Sequence, residues 1–186
     1  MSATVLYMSM SLDGFIAGPN ETVDNGLGDG GIRLHEWDFS GPVLDEFLAT
    51  GAVVAGRGTA EPADYWGGDH HGGVPIFIFG PEAVDDAERS RPRVTYVPDI
   101  REAMSRAKDA AGDRNVLVHG AGVAQAALAA GVLDELELHV IPVLLGEGRR
   151  LFDRLGPDHI ELERVRVIAA DHGVTHLHYR VQPRTP

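Results

Sequence analysis

Four short apolar runs constrain this chain more than any other feature: VLYM at 5–8, AVVA at 52–55, PIFIF at 75–79 and NVLV at 115–118. None alternates polar with apolar residues, as a strand with one wet face would. Continuous apolar runs of this length belong to interior strands covered on both sides. Covering them requires helices, and the intervening sequence supplies three. GPVLDEFLATG puts Pro42 near a helix start, places Val43, Leu44, Phe47 and Leu48 on one face and offers Gly51 as a stop. DIREAMSRAKDAAG opens with Asp99 and Glu102 at capping-box spacing and closes on Gly112, and AGVAQAALAAG runs to Gly131. Buried strands alternating with helices predict a parallel sheet.

After residue 133 the pattern changes to LDELELHVIPV, IELERVRVI and GVTHLHYRV. In the last, Thr175, Leu177, Tyr179 and Val181 share one face, and His176, His178 and Arg180 share the other. The sheet is expected to begin with crossovers and finish with an antiparallel pair. No repeat or long linker interrupts the 186 residues, so one domain spanning 1–186 is expected.

Composition narrows the function. The chain has no cysteine, which excludes disulfides, thiolate metal sites and cysteine nucleophiles. A formal charge of −12 argues against nucleic acid as a partner. No apolar run approaches the ~20 residues of a membrane span and no signal sequence is evident, so a cytoplasmic protein is expected. A small anionic ligand remains compatible with an acidic chain, because a few arginines and backbone N–H groups can hold one.

Two segments join a buried strand to a helix through glycine. In VVAGRGTAEPADYW, Gly56 and Gly58 flank Arg57, and Thr59 follows; in NVLVHGAGVAQAAL, Gly120 and Gly122 open the helix. Either pair could serve only as a tight turn. Together they would aim free N–H groups at one sheet edge, where two such sites suit a diphosphate. HGAGVA is not a full GxGxxG, and neither segment has a P-loop lysine. A third segment, SLDGFIAGPN at 11–20, breaks at Asp13-Gly14 and again at Gly18-Pro19 around an apolar pair, the mark of a loop folded back over the end of its strand. The glycine-rich stretch from Ala17 to Gly41 that follows is the least regular part of the chain, and a long loop of this kind is usually functional.

SLDGFIAG after the first strand, GRGT after the second, the glycine pair in VHGAGVAQAALAAG and VLDELELHVIPVLLGEGRRLF near the end together resemble the dihydrofolate-reductase-like superfamily. The branch most similar is the reductase domain of riboflavin biosynthesis. The resemblance implies a three-layer α/β/α fold, a mostly parallel central sheet with antiparallel C-terminal strands, and NADPH lying across the sheet. It implies that Phe15, Ile16 and Ala17 wall off the nicotinamide, that Gly56, Arg57 and Thr59 meet cofactor phosphates, and that Gly120, Ala121, Gly122 and Val123 hold the diphosphate. It further implies a small heterocyclic (pyrimidine- or pterin-like) or carbonyl substrate and a homodimer. His119 stands where many relatives have glycine.

Asp13 and Asp45 are the candidate catalytic acids. An Asp-Gly pair is also a turn, and Asp45 and Glu46 lie off the apolar face of their helix, which equally fits solvated surface. Trp37, Pro42 and Asp45 follow the order seen in dihydrofolate reductases, with a different spacing from proline to acid. His70 and His71 form a polar loop near the expected pocket, and His176 and His178 share a strand face; no metal is assigned to either pair. Glu147, Arg149 and Arg150 read as exposed turn residues beside a core-bound Leu151 and Phe152. The rival to a reductase is a ligand-binding protein that keeps the crevice without turnover. A hydrolase of the α/β type would need a GxSxG elbow, which the chain lacks.

Overall fold

A computed structural model describes residues 2–37, 40–81, 91–156 and 159–183. Its main sheet contains β1 (Thr4–Ser11), β3 (Thr50–Gly56), β4 (Ile76–Phe79), β5 (Val94–Val97), β6 (Asn115–His119), β7 (Glu135–Ile141), β9 (Leu162–Ala169) and β10 (Thr175–Val181). Their spatial order is β5-β4-β3-β6-β1-β7-β10-β9. The four apolar runs become β1, β3, β4 and β6, all parallel and side by side at the centre. β7 also joins β1 in parallel, so the change of pattern at 133 precedes the change of direction by one strand. Antiparallel pairing begins at β10, which lies between β7 and β9.

Helices cover both faces. On one, α3 (Ile100–Ala111) and α4 (Ala121–Ala130) bury Ala103, Met104, Ala107, Val123 and Ala127 against Leu6, Val54, Val116 and Val118. On the other, α1 (Gly41–Leu48) and the single turn α2 (Arg57–Ala60) bring Val43 and Ala60 onto Tyr7, Val53, Ala55 and Ile78. The result is the three-layer α/β/α fold that the resemblance implies. Leu177, Tyr179 and Val181 pack on the α3–α4 side, as the alternation in β10 predicts. Among the described residues no helix is long and apolar enough to cross a membrane.

Local signals explain most boundaries. Asp99 accepts a hydrogen bond from the Glu102 N–H at 2.9 Å, capping α3, and Gly112 ends that helix at φ 62°. Gly131 ends α4 in the left-handed region. Gly51 behaves differently from its sequence reading. The first helix ends at Leu48, and Gly51 lies inside β3, where an added Cβ would stand 2.7 Å from the Ala111 carbonyl oxygen. Its role is to let β3 pass the end of α3. β5 carries no clear sequence signal, because VTYV is an edge strand and only Val97 is fully buried.

Because the obstacle at Gly51 is backbone, Gly51→Ala should destabilise the fold by about 1–3 kcal/mol. Urea denaturation measures this directly, and an unchanged midpoint would show that β3 and α3 can separate freely.

Candidate active site

The C-terminal ends of β1, β3 and β6 open into a cleft of about 600 Å³. Its position follows from the parallel order, since the loops leaving parallel strands emerge on one edge of the sheet. One wall is the loop after β1, which does fold back. Phe15–Ala17 forms a short strand, β2, paired antiparallel with β8 (Arg149–Arg150). The pairing is locked at several points. Asp13 accepts from the N–H groups of Leu145 at 3.2 Å and Gly146 at 2.8 Å, and from the Ser11 hydroxyl at 2.5 Å. The Leu151 N–H donates to the Gly14 carbonyl, and the Arg150 guanidinium lies 4.4 Å from the centre of the Phe15 ring. Phe15, Ile16 and Ala17 are all buried, and Ile16 and Ala17 line the cleft.

The two glycine turns lie at the same strand ends: Gly58, Thr59 and His119 line the cleft, whereas Gly56, Arg57, Gly120, Ala121, Gly122 and Val123 are outside its lining. Gly120, at φ 94°, precedes α4, whose first turn has no side-chain cap and leaves its N–H groups open to an anion. A side chain at Gly120 would overlap Thr59, whereas one at Gly122 would meet open space. Ala121 and Val123 pack into the core, so only their backbone faces the turn. Thr59 and Gly58 line the cleft; Gly56 and Arg57 lie beside it. The helix after Gly56 is one turn of four residues, too short to present the dipole that its sequence suggests. Arg57 extends along the sheet edge toward the ends of β4 and β5. There it bonds Glu61 at 3.1 Å and the Pro81 carbonyl at 3.3 Å, and covers the Tyr96 ring at 5.0 Å.

The third part of the lining is aromatic. Trp37, Phe47, Trp66, His70 and His119 all face the cleft. Trp66 lies 4.5 Å from His70 and 6.0 Å from His119, ring centre to ring centre, the latter pair stacked at 29°. Trp37 donates through Nε1 to the Ser9 hydroxyl at 3.1 Å, and His71 stacks on His70 at 4.2 Å. Burial keeps these imidazoles neutral. It pushes His70 down to about 3, with the nearby His119 and His71 adding to the effect, and His119 down to about 4. His35, also in the lining, is shifted down for the same reason. Arg149 lines the cleft and pairs with Glu21 at 2.6 Å, although GEGRRLF reads as an exposed turn. No local pattern could have placed it, because the β2–β8 pairing that turns it inward joins segments more than a hundred residues apart.

The two candidate acids do not reach the cleft lining. Asp13 is spent on the loop clasp, where the Ser11 hydroxyl above all holds its carboxyl below the ordinary range. Asp45 is exposed on α1 and absent from the lining. Its neighbour Glu46 forms a two-pronged ion pair with Arg166 at 2.5 and 2.7 Å. Arg166 also reaches the buried Glu137, at 3.4 Å, whose carboxyl is raised by burial. His176 and His178 share a face but not a task. His176 Nδ1 meets His139 Nδ1 at 2.8 Å, and His178 lies between Glu135 at 3.0 Å and Glu137 at 3.3 Å. Among the described residues Glu46, Glu137 and His178 bring potential metal ligands within 4.8 Å of one another, but Arg166 already provides the cation there.

The profile of the RibD C-terminal domain matches residues 72–175. The uncharacterized protein YwjB of Bacillus subtilis (strain 168) is 27% identical over 168 residues, covering 82% of this chain and 83% of its own. Among solved structures, a candidate riboflavin biosynthesis protein from Shewanella sp. PV-4 superposes with a TM-score of 0.73 at 19% identity, over 97% of this chain and 99% of its own. A pyrimidine reductase-like protein of Corynebacterium diphtheriae gives 0.65 at 14% identity, over 98% and 92%. The diaminohydroxyphosphoribosylaminopyrimidine deaminase/5-amino-6-(5-phosphoribosylamino)uracil reductase of Thermotoga maritima gives 0.62 at 16% identity, over 97% of this chain but 57% of its own.

The buried histidines predict acid sensitivity. His70, His119 and the fully buried His139, the last held at about 3, all protonate less readily in the fold than at the ordinary value of 6.5. Below about pH 6.5 the unfolded chain therefore binds more protons than the native one, and stability falls until the folded groups themselves titrate near pH 3–4. His139 alone contributes a loss of about 1.4 kcal/mol per pH unit in that window. Glu137, raised in the fold, works in the opposite sense and offsets part of the loss. Urea midpoints should drop clearly between pH 7.5 and 5.5; a flat profile would contradict this account.

Proposed function

The chain belongs to the RibD C-terminal domain family, and we propose that it is an NADPH-dependent reductase of a small heterocyclic or carbonyl substrate. The observation that carries this reading is the convergence on one sheet edge of the clasped loop with Ile16 and Ala17, the Gly58–Thr59 turn and the aromatic lining, with the uncapped start of α4 following directly after the lining residue His119. A dinucleotide laid along that edge would meet them in a consistent order. The nicotinamide would sit against Ile16 and Ala17 at the end of β1. The diphosphate would sit at the N–H groups of Ala121, Gly122 and Val123 after β6, with Gly120 allowing close approach and Thr59 beside it. The adenosine end would reach Gly56 and Arg57 beyond β3.

NADPH would supply the hydride; the protein supplies position and dryness. Ile16 and Ala17 exclude water from one side of the reacting carbon, and the clasp through Asp13 and Arg150 holds them there. Hydride transfer must be balanced by a proton. Burial holds the cleft histidines below their ordinary value, so they are largely neutral at pH 7 and poorly suited to donate the proton. In the described lining the one carboxylate, Glu21, is tied to Arg149. Water is therefore the proton source in this reading, and Asp13 and Asp45 act outside the chemical step. The same lack of a free acid favours the second reading, a protein that binds in this crevice without turnover.

Binding of NADPH to the purified protein, followed by calorimetry, tests the proposal. Arg57→Ala should weaken NADPH by ~1.5–3 kcal/mol and leave NADH nearly unchanged, if a charged hydrogen bond to the 2′-phosphate is lost. Equal losses would remove Arg57 from that phosphate. NADPH binding without oxidation across pteridine, pyrimidine and quinone substrates would favour the second reading.

We also propose a cytoplasmic homodimer. β9 ends the sheet with an open edge, and Leu162, Val165 and Val167 on it are exposed. Light scattering should give about 40 kDa, twice the 20.0 kDa chain. A monomer at micromolar concentration would contradict this.

A further inference from the structure

We propose, building on the reductase reading, that the Trp66 side of the cleft is a stacking slot for a flat, unphosphorylated aromatic ring. The slot is made of ring faces. Trp66, His70 and His119 form one cluster, with His70 and His119 centred 5.7 Å apart. Phe47 extends it, 6.1 Å from His70 and 5.1 Å from Tyr7, and Trp37 adds a further ring to the lining, 4.7 Å from His139. Offset or edge-on contact with such rings contributes to binding beyond simple burial.

The backbone that presents Trp66 is strained. Asp64, Tyr65 and Trp66 lie in succession at φ 45°, 51° and 53°, a left-handed run that residues with side chains rarely adopt. The run is clamped from beneath. Tyr65 is buried with Arg91 over its ring at 4.5 Å, and Arg91 also bonds the Asp64 carboxylate at 2.8 Å. Strain that is held in place by its surroundings collects where a side chain must be presented to a ligand. Here that side chain is Trp66.

Charge selects the kind of ring. In the described lining Arg149 is the one arginine or lysine, and Glu21 pairs with it at 2.6 Å. The imidazoles beside Trp66 are neutral at pH 7. Among the described lining residues, a phosphate brought against the Trp66, His70 and His119 rings would lose its water without meeting an unpaired cation, which is unfavourable. The reductase named for the Thermotoga maritima neighbour acts on a phosphoribosylamino compound. The slot described here points to a substrate without that phosphate.

The chain contains two tryptophans, and both line the cleft, so intrinsic fluorescence reports on this site alone. The probes are 1-naphthol and 1-naphthyl phosphate, which differ only in the phosphate. Titrated into the protein at pH 7.5 with and without saturating NADPH, 1-naphthol should quench tryptophan emission and bind at least tenfold more tightly than the phosphate. Trp66→Ala should weaken 1-naphthol at least tenfold, and Trp66→Phe should retain most of the affinity. Equal or tighter binding of 1-naphthyl phosphate by the wild-type protein would overturn the proposal whether or not the variants fold. So would a folded Trp66→Ala protein that binds 1-naphthol normally, or no binding of 1-naphthol at all. NADPH binding measured alongside separates the two ideas: a protein that binds 1-naphthol but not NADPH keeps the slot and loses the reductase reading, and the converse loses only the slot.

Discussion

The burial of β1, β3, β4 and β6 on both faces is the constraint from which the remaining structure follows. Strands without a wet face need a helix layer on each side, and parallel strands need crossovers to reach those layers. Every polar group with work to do is thereby sent to the strand ends. The cleft lies at the strand ends because apolar side chains dominate the middle of these strands. On the neighbouring β7, Glu137 and His139 are buried, Glu137 facing Arg166 of β9 and His178 of β10, and His139 facing His176 of β10.

The cleft itself combines two kinds of wall. One is held by a lattice of hydrogen bonds around Asp13, with polar atoms satisfied and little freedom to move. The other is a surface of rings whose imidazoles are kept uncharged by burial. Rings of this kind offer contact and exclusion of water rather than charge.

Much of the fold was legible because it rests on local rules. Continuous apolar runs, the Asp99 cap and the glycines at 112 and 131 each determine an element from a few neighbouring residues. The misreadings share a cause. Gly51 resembles a helix stop until the end of α3 is brought against it, and Arg149 resembles a surface turn until β8 pairs with β2. Both depend on contacts between distant segments, which periodicity cannot show. Of the candidate site, the SLDGFIAG loop was legible, because its two breaks leave a local mark, while HGAG contributes only His119 to the lining. The aromatic wall was not legible, since Phe47, Trp66, His70 and His119 come from four separate elements with no common spacing. His70, His71 and His119 stood out as residues, but their company did not.

The place of β1 has a consequence for how the chain reaches this structure. β1 lies in the interior of the sheet, hydrogen-bonded to β6 on one side and β7 on the other, and both partners follow it in the chain. Neither partner exists until at least residue 115 has been made. β1 must therefore wait, unpaired, while the segment up to β6 is made, and the loop that walls the cleft cannot be clasped until Arg149 and Arg150 follow. Folding dominated by such distant pairings is slow, and the waiting strand is the part of the nascent chain most exposed to aggregation. The cleft is thus completed only once β8 has been made, and any truncation before β8 would leave it without the clasped loop as a wall.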